Sequence, residues 1–424
     1  MFRRSPRGRF SLAPVLFMCM GCALPGHALS AALPFADAQR IAVQRSQELV
    51  AQDAAITSAR EMAVAARQLP DPVIRAGVDN APVTGSDRFT LGRDFMTMRR
   101  IGVMQEYTGG EKRRLCGERF EREADRAAEE KNLALSNLQR DTASAWLEAF
   151  YLERLRAAVR QQREEIKREI EAVETAYRGG RASQADVIAA HSARVMIEDR
   201  LSELDRRIRN ARAMLGRWVG SDAASGELVA EPDLGVLPLH AHELERQLER
   251  HPNIAAMSQE VAMATAEVDL ARASKRPDLT WELAFQKRGS DFSDMVSIGV
   301  SIPLQWDQKN RQDRELAAKL ALLDRARAQR DETLRSHVAE VQTMLNEWES
   351  NRERLNRYEH EWLPLARERT QALAAAYRGG KTDLVSVLSA RRGELEVRAQ
   401  ALQLEIDTAK VWAQLRYLIP DEIK

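Results

Sequence analysis

The 424-residue chain is poor in aromatic residues, at 5%, and holds only three cysteines. Its one Cys-x-x-Cys, Cys19-Met20-Gly21-Cys22, lies in the N-terminal apolar stretch with no second ligand pair beside it, and there is no His-Glu-x-x-His, so neither a structural zinc site nor a metalloprotease is signalled. No nucleophile elbow appears, and no glycine-rich loop follows a strand as dinucleotide binding requires. Catalytic, cofactor-binding and metal-ligating residues are therefore not expected, and neither is an enzyme. An excess of one charge is missing too. The 64 basic and 63 acidic residues nearly cancel, without the concentrated basic patch of a nucleic-acid binder. Past the N-terminus no apolar run approaches the ~20 residues of a membrane-spanning helix. Such a chain either stays in water or crosses a bilayer as β-strands.

What is present begins with a leader. Arg3, Arg4, Arg7 and Arg9 precede an apolar stretch from Ser11 to Leu24, and Ala28-Leu29-Ser30 sets small residues before Ala31. These are the three parts of a secretory signal over residues 1–30. A second cut, before Cys22, would lipidate that residue; Gly21 suits it, whereas Cys19 stands where leucine is expected. Cys116 then remains alone, so no intrachain disulfide can form. Arg113, Arg114 and Arg119 stand around it in the sequence; its plainer role is a small residue at a helix start.

The strongest pattern is a repeat. Ala176-Tyr177-Arg178-Gly179-Gly180-Arg181 returns as Ala376-Tyr377-Arg378-Gly379-Gly380-Lys381, and Pro70-Asp71 returns as Pro277-Asp278. Gly102-Val103 likewise answers Gly299-Val300. Residues 31–219 and 237–424 read as two copies of one unit, joined by a Gly/Ser/Pro-bearing linker at 220–236. A period near 200 residues is too long for a solenoid and indicates a duplicated hairpin of large size.

Each copy reads as helix, two strands, long helix, tight turn, helix. From Glu118 to Arg178 there is no glycine or proline, and strong helix formers dominate. Leu138, Ala145, Leu152, Val159, Ile166 and Val173 recur every seven residues and form one stripe. Leu334, Val341, Trp348, Leu355 and Trp362 do the same in the second copy, where Pro364 should kink or interrupt the rod. Sixty helical residues reach ~90 Å, so the narrow seam must pack on neighbours. A glycine after Arg178 or Arg378 can stop the helix in the left-handed conformation. Ser183, and Thr382 or Asp383, can cap the next one. Strands are expected over Pro72–Val78 and Arg99–Tyr107, and again around Trp281–Phe285 and Met295–Ile302, where large apolar residues alternate with smaller or polar ones.

Four strands cannot close a barrel, which needs ~8, and lipid does not tolerate the two open edges. Strands pooled from several copies would close it; a small soluble sheet capping a coiled coil is the rival reading.

The two-copy plan with Tyr-Arg-Gly-Gly turns resembles the TolC family of outer-membrane efflux proteins. Leu69-Pro70-Asp71-Pro72, Met96-Thr97-Met98-Arg99-Arg100-Ile101-Gly102-Val103, Arg276-Pro277-Asp278 and Phe292-Ser293-Asp294-Met295-Val296-Ser297 resemble its cobalt–zinc–cadmium and copper/silver branch. The resemblance implies a mainly α protein with a small membrane β part. Antiparallel helical hairpins would form a periplasmic α-barrel, and three protomers would share a 12-stranded β-barrel in the outer membrane of a Gram-negative bacterium. It implies a passive duct for metal cations, met by a periplasmic adaptor that is fed by a proton-driven pump of the resistance–nodulation–division (RND) type. The adaptor would meet Arg178, Gly179, Gly180 and Arg181, with Arg378, Gly379, Gly380 and Lys381. An acidic aperture would rest on Asp186 and Asp383, with Ser386 and Ser389 where the second copy departs from the pattern. His240 and His242 fit a linker, and Met96, Met98 and Met104 fit strand or loop positions better than soft-metal contacts. A channel for drugs or a secreted protein, and a periplasmic scaffold without a pore, are the competing functions.

Overall fold

The computed structural model describes residues 32–237 and 244–420. The leader with Cys19 and Cys22, and the pair His240 and His242, lie outside the described residues. After β1 (Leu33–Pro34) come α1 (Phe35–Arg45), α2 (Gln47–Ala66), the hairpin β2 (Val73–Asp79) and β3 (Met98–Tyr107), then α3 (Gly110–Arg178) and α4 (Gln184–Val219). The short α5 (Ser221–Ala224) and β4 (Leu228–Val229) follow. The second copy contributes α6 (Leu244–Leu248), α7 (Pro252–Ala273), β5 (Leu279–Lys287), β6 (Met295–Ser301), α8 (Gln312–Arg357), α9 (Leu363–Arg378) and α10 (Leu384–Arg416).

Helix α3 runs unbroken for 69 residues, about 100 Å at 1.5 Å per residue. It starts upstream of the expected Glu118. Gly117 is no breaker there, because the Arg67 side chain fills the space a Cβ would take. Its six-residue heptad stripe, Leu138 to Val173, is buried throughout. In the second copy Val341 and Trp348 are buried, but Trp362 is 50% exposed. A π turn at Tyr358–Trp362 explains the difference: the Leu363 N–H reaches back to the Tyr358 carbonyl. One extra residue in that turn rotates the stripe away from the seam. Pro364 sits just beyond, in the first turn of α9, where its missing N–H costs little.

The core lies midway along the rods. Phe35 packs against Trp146 at 5.4 Å and Trp412 at 6.2 Å, ring centre to ring centre. The indole N–H of Trp146 donates to the Leu33 carbonyl (3.2 Å), and that of Trp412 to the Val236 carbonyl (3.0 Å). The segment between the copies takes part in this core. β4 pairs in parallel with β1, and Leu33 N–H donates to the Glu227 carbonyl at 2.7 Å.

Four strands form the second sheet in the order β2-β3-β5-β6, with every neighbour antiparallel. The β3–β5 pair joins the two halves of the chain, with Ile101 opposite Phe285 and Val103 opposite Leu283. Among the described residues no helix is long and apolar enough to cross a membrane.

Candidate functional site

The sheet has two unlike faces. Side chains alternate across a strand, and the register puts Ile74, Val103, Leu283 and Ile298 in one row and Ile101, Phe285 and Val296 in the next. All seven are between 43% and 75% exposed. A single molecule in water would not leave such a contiguous oily surface uncovered. The opposite face is polar: Arg100 donates to Glu282 and lies 3.6 Å from Asp79. Met98 and Met104 share that face, while Met96 lies in the loop before β3. Gly102 sits against Ala284 so closely that a Cβ would fall 2.9 Å from the alanine methyl. Among the described residues the outer strands β2 and β6 each have a partner on one side only.

Below the sheet, Asp278 of the Arg-Pro-Asp motif ties the two halves of the chain together. Its carboxylate takes the Gly109 N–H (3.0 Å) and the Lys112 ammonium (2.8 Å), and Lys112 also donates to the Arg276 carbonyl (2.6 Å). Burial acts to raise the Asp278 pKa, but these donors hold it below the usual carboxylate value. Glu267 on α7 is gripped by Arg119 of α3 (3.1 Å) and Lys319 of α8 (2.8 Å).

At the far end the two helical hairpins turn by the same local chemistry. Gly180 and Gly380 have φ of +71° and +68°, which a side chain would disfavour. The Arg181 and Lys381 N–H groups return to the Ala176 and Ala376 carbonyls, at 2.8 and 2.9 Å, and close the helix ends. Arg178, Arg181, Arg378 and Lys381 are all exposed. Both turns lie at one end of the molecule. Arg391, eleven residues after Gly380, meets Glu165 (2.8 Å) and Glu169 (2.6 Å), about as far before Gly179. Burial raises the Glu169 pKa against the pull of Arg391.

Asp186 accepts the Ser183 N–H at 2.8 Å while Ser183 Oγ accepts the Asp186 N–H, a reciprocal cap. Asp383 accepts the Ser386 N–H at 2.7 Å, and hydrogen bonding from the Ser386 hydroxyl, with that N–H, lowers its pKa. Both carboxylates are thus held at helix starts beside the turns, with Ser386 half-buried and Ser389 exposed. Cys116 is a free, half-buried thiol on α3. No group of three or more His, Cys, Asp or Glu among the described residues could hold a metal.

One cluster gave no signal in the sequence, because its members come from four separate segments. Glu405 of α10 and Glu231 each lie 3.5 Å from Arg154 of α3. Tyr151 donates to Glu231, and Glu359 of the π turn faces the same cleft. Burial, with Glu359 and Glu231 nearby, pushes the Glu405 pKa up to about 7 despite Arg154.

The sequence and the fold both have relatives. Residues 244–419 match the family described as outer membrane efflux protein. The cobalt-zinc-cadmium resistance protein CzcC of Cupriavidus metallidurans is 28% identical over 229 residues, 53% of this chain and 53% of that protein. The aligned part thus spans about half of that relative. The outer-membrane channel OprN superposes with a TM-score of 0.76 at 18% identity, over 91% of this chain and 90% of its own. CusC, solved in a study of transmembrane channel formation, gives 0.75 at 15%, over 91% and 92%. At these identities the likeness is one of fold.

Proposed function

With its second half belonging to the outer membrane efflux protein family and its fold that of TolC-type channels, we propose that this chain is the outer-membrane exit duct of a tripartite heavy-metal efflux system. The observation that carries the reading is the four-stranded sheet, oily on one face and charged on the other, with both edges open at one end of ~100 Å rods. In lipid an open edge costs several kcal/mol per unpaired group. Pairing β6 of one protomer with β2 of the next removes every edge. Three protomers then contribute twelve strands, enough for a barrel with an aqueous interior. The charged face with Arg100, Asp79 and Glu282 lines that interior, and the oily face meets lipid.

The helices extend the duct into the periplasm. At their ends the Arg-Gly-Gly turns present Arg178, Arg181, Arg378 and Lys381 to the helical hairpin of a periplasmic adaptor, which an RND-type inner-membrane pump supplies. Gly180 and Gly380 let the adaptor backbone approach closely. Asp186 and Asp383 lie beside the mouth, where ionised carboxylates concentrate cations. Metal cations are the proposed cargo because the chain is similar to a cobalt-zinc-cadmium resistance protein.

Three measurements test the reading. Purified protein in planar bilayers should conduct; a scaffold would not. Deletion in the native host should sensitise cells to divalent or monovalent metals and leave drug tolerance and protein secretion unchanged; the reverse pattern replaces the cargo and keeps the duct. Valine at Gly180 and Gly380 should abolish metal resistance while trimers still assemble, and unchanged resistance would remove the adaptor role.

A further inference from the structure

The oily stripe of β6 does not end where its pairing ends. The last paired residue is Ser301, opposite Thr280. Yet the even-numbered side chains continue in the same sense: Val300 is 49% exposed, Ile302 50%, Leu304 75% and Trp306 89%. The odd-numbered partner turns the other way, since Gln305 Nε2 donates to the Ser274 carbonyl at the end of α7 (3.1 Å). Gln308 adds a second tie to the Lys275 carbonyl at 3.4 Å. Two glutamines thus hold the inner side of this segment while Leu304 and Trp306 face out.

The height of the stripe makes its length meaningful. At ~3.3 Å per residue and a tilt near 40°, Val296 to Val300 covers only about 10 Å, against an apolar band of ~25 Å in membrane barrels. Carried on to Trp306 through a segment as extended as the strand, the same column reaches at most about 25 Å. The first copy has no counterpart. Two residues separate β3 from α3, whereas ten separate β6 from α8. The added stretch ends on exposed Lys309 and Arg311, with Asp307 the acid between them and Trp306. An indole at an oil–water boundary followed by two cations suits the glycerol and phosphate level of a phospholipid leaflet.

Resting on the outer-membrane reading above, we propose that Ile302–Arg311 is an interfacial anchor: Leu304 and Trp306 enter the phospholipid leaflet on the helical side of the sheet, and Lys309 and Arg311 engage the headgroup phosphates. The anchor belongs to the second copy alone, so each protomer carries one, and it sets how deeply the sheet sits in the bilayer.

Brominated phosphatidylcholine vesicles containing phosphatidylglycerol test this with the full-length protein. Fluorescence differences between wild type and W306F, and between wild type and W281F, isolate the two indoles; both changes are conservative and at exposed sites. Bromines near the glycerol end should quench Trp306 more than bromines near the chain ends, with a blue shift relative to detergent solution. Trp281, within the paired sheet, should respond to the deeper bromines. Quenching of Trp281 with none of Trp306 overturns the anchor and leaves the membrane sheet standing. A Trp306 emission already blue in detergent and indifferent to bromine means that another protomer covers it, which also overturns the anchor. Silence of both indoles removes the outer-membrane reading itself.

Discussion

Replacing Glu405 with glutamine should stabilise the protein, by an amount that grows as the pH rises towards neutral. Its side chain is 18% exposed, so solvent screens it little. Burial is the main cause of its raised pKa, with Glu359 and Glu231 adding to it and Arg154 opposing it. Moving a carboxyl from 4.5 to about 7 corresponds to about 3 kcal/mol, at ~1.4 kcal/mol per unit. The folded protein here holds the proton more tightly than the unfolded chain. Below pH ~4.5 both states are protonated and Glu405 contributes no difference; between ~4.5 and 7 stability falls as pH rises; above 7 the loss is complete. Glutamine has the shape of the protonated acid and no charge to desolvate. The variant should therefore lie within about 1 kcal/mol of wild type at pH 5 and exceed it by up to about 3 kcal/mol per protomer at pH 8. Unfolding followed by helical circular dichroism in detergent, at matched concentrations across pH 5–8.5, reads this difference directly. A variant less stable than wild type at pH 8 would mean that the Arg154 contact outweighs burial, and a pH-independent effect would remove Glu405 as the titrating group.

Three other substitutions probe the rest of the structure. G102V drives a side chain into Ala284 and the Leu283 carbonyl and should cost about 1–3 kcal/mol by overpacking; the heat-modifiable mobility of a folded barrel should be lost, and normal mobility would refute the close approach. S183A removes the reciprocal cap with Asp186 and should cost about 1 kcal/mol; amide exchange should quicken in the first turn of α4 and nowhere on α7. R391M leaves Glu165 and Glu169 without their shared cation; exchange at the start of α10 should rise, and an unchanged rate would show that apolar packing alone holds α10 to α3.

Much of the fold was legible because its causes are local. The heptad stripe of α3, the glycines that end the long helices, the Ser183 and Asp383 caps and the strand alternation each depend on neighbours within a few residues. Gly180 rather than Gly179, and Gly380 rather than Gly379, takes the positive φ, a choice the paired glycines left open. The register of the second helical seam was misread at Trp362, because a π turn is a compromise between Pro364 and the packing around it and has no composition of its own.

The sequence by itself determined long rods, glycine turns and alternating strands, since periodicity and turn chemistry are properties of short segments. Only the tertiary structure decided which distant segments meet. β3 pairs with β5 across nearly two hundred residues. β1 finds β4 in a stretch that reads as a tether. Glu405, Glu231, Glu359 and Arg154 gather in one cleft. Such contacts form only after the chain has paid the entropy of closing long loops, and burial, which sets the Glu405 proton affinity, does not exist before they form.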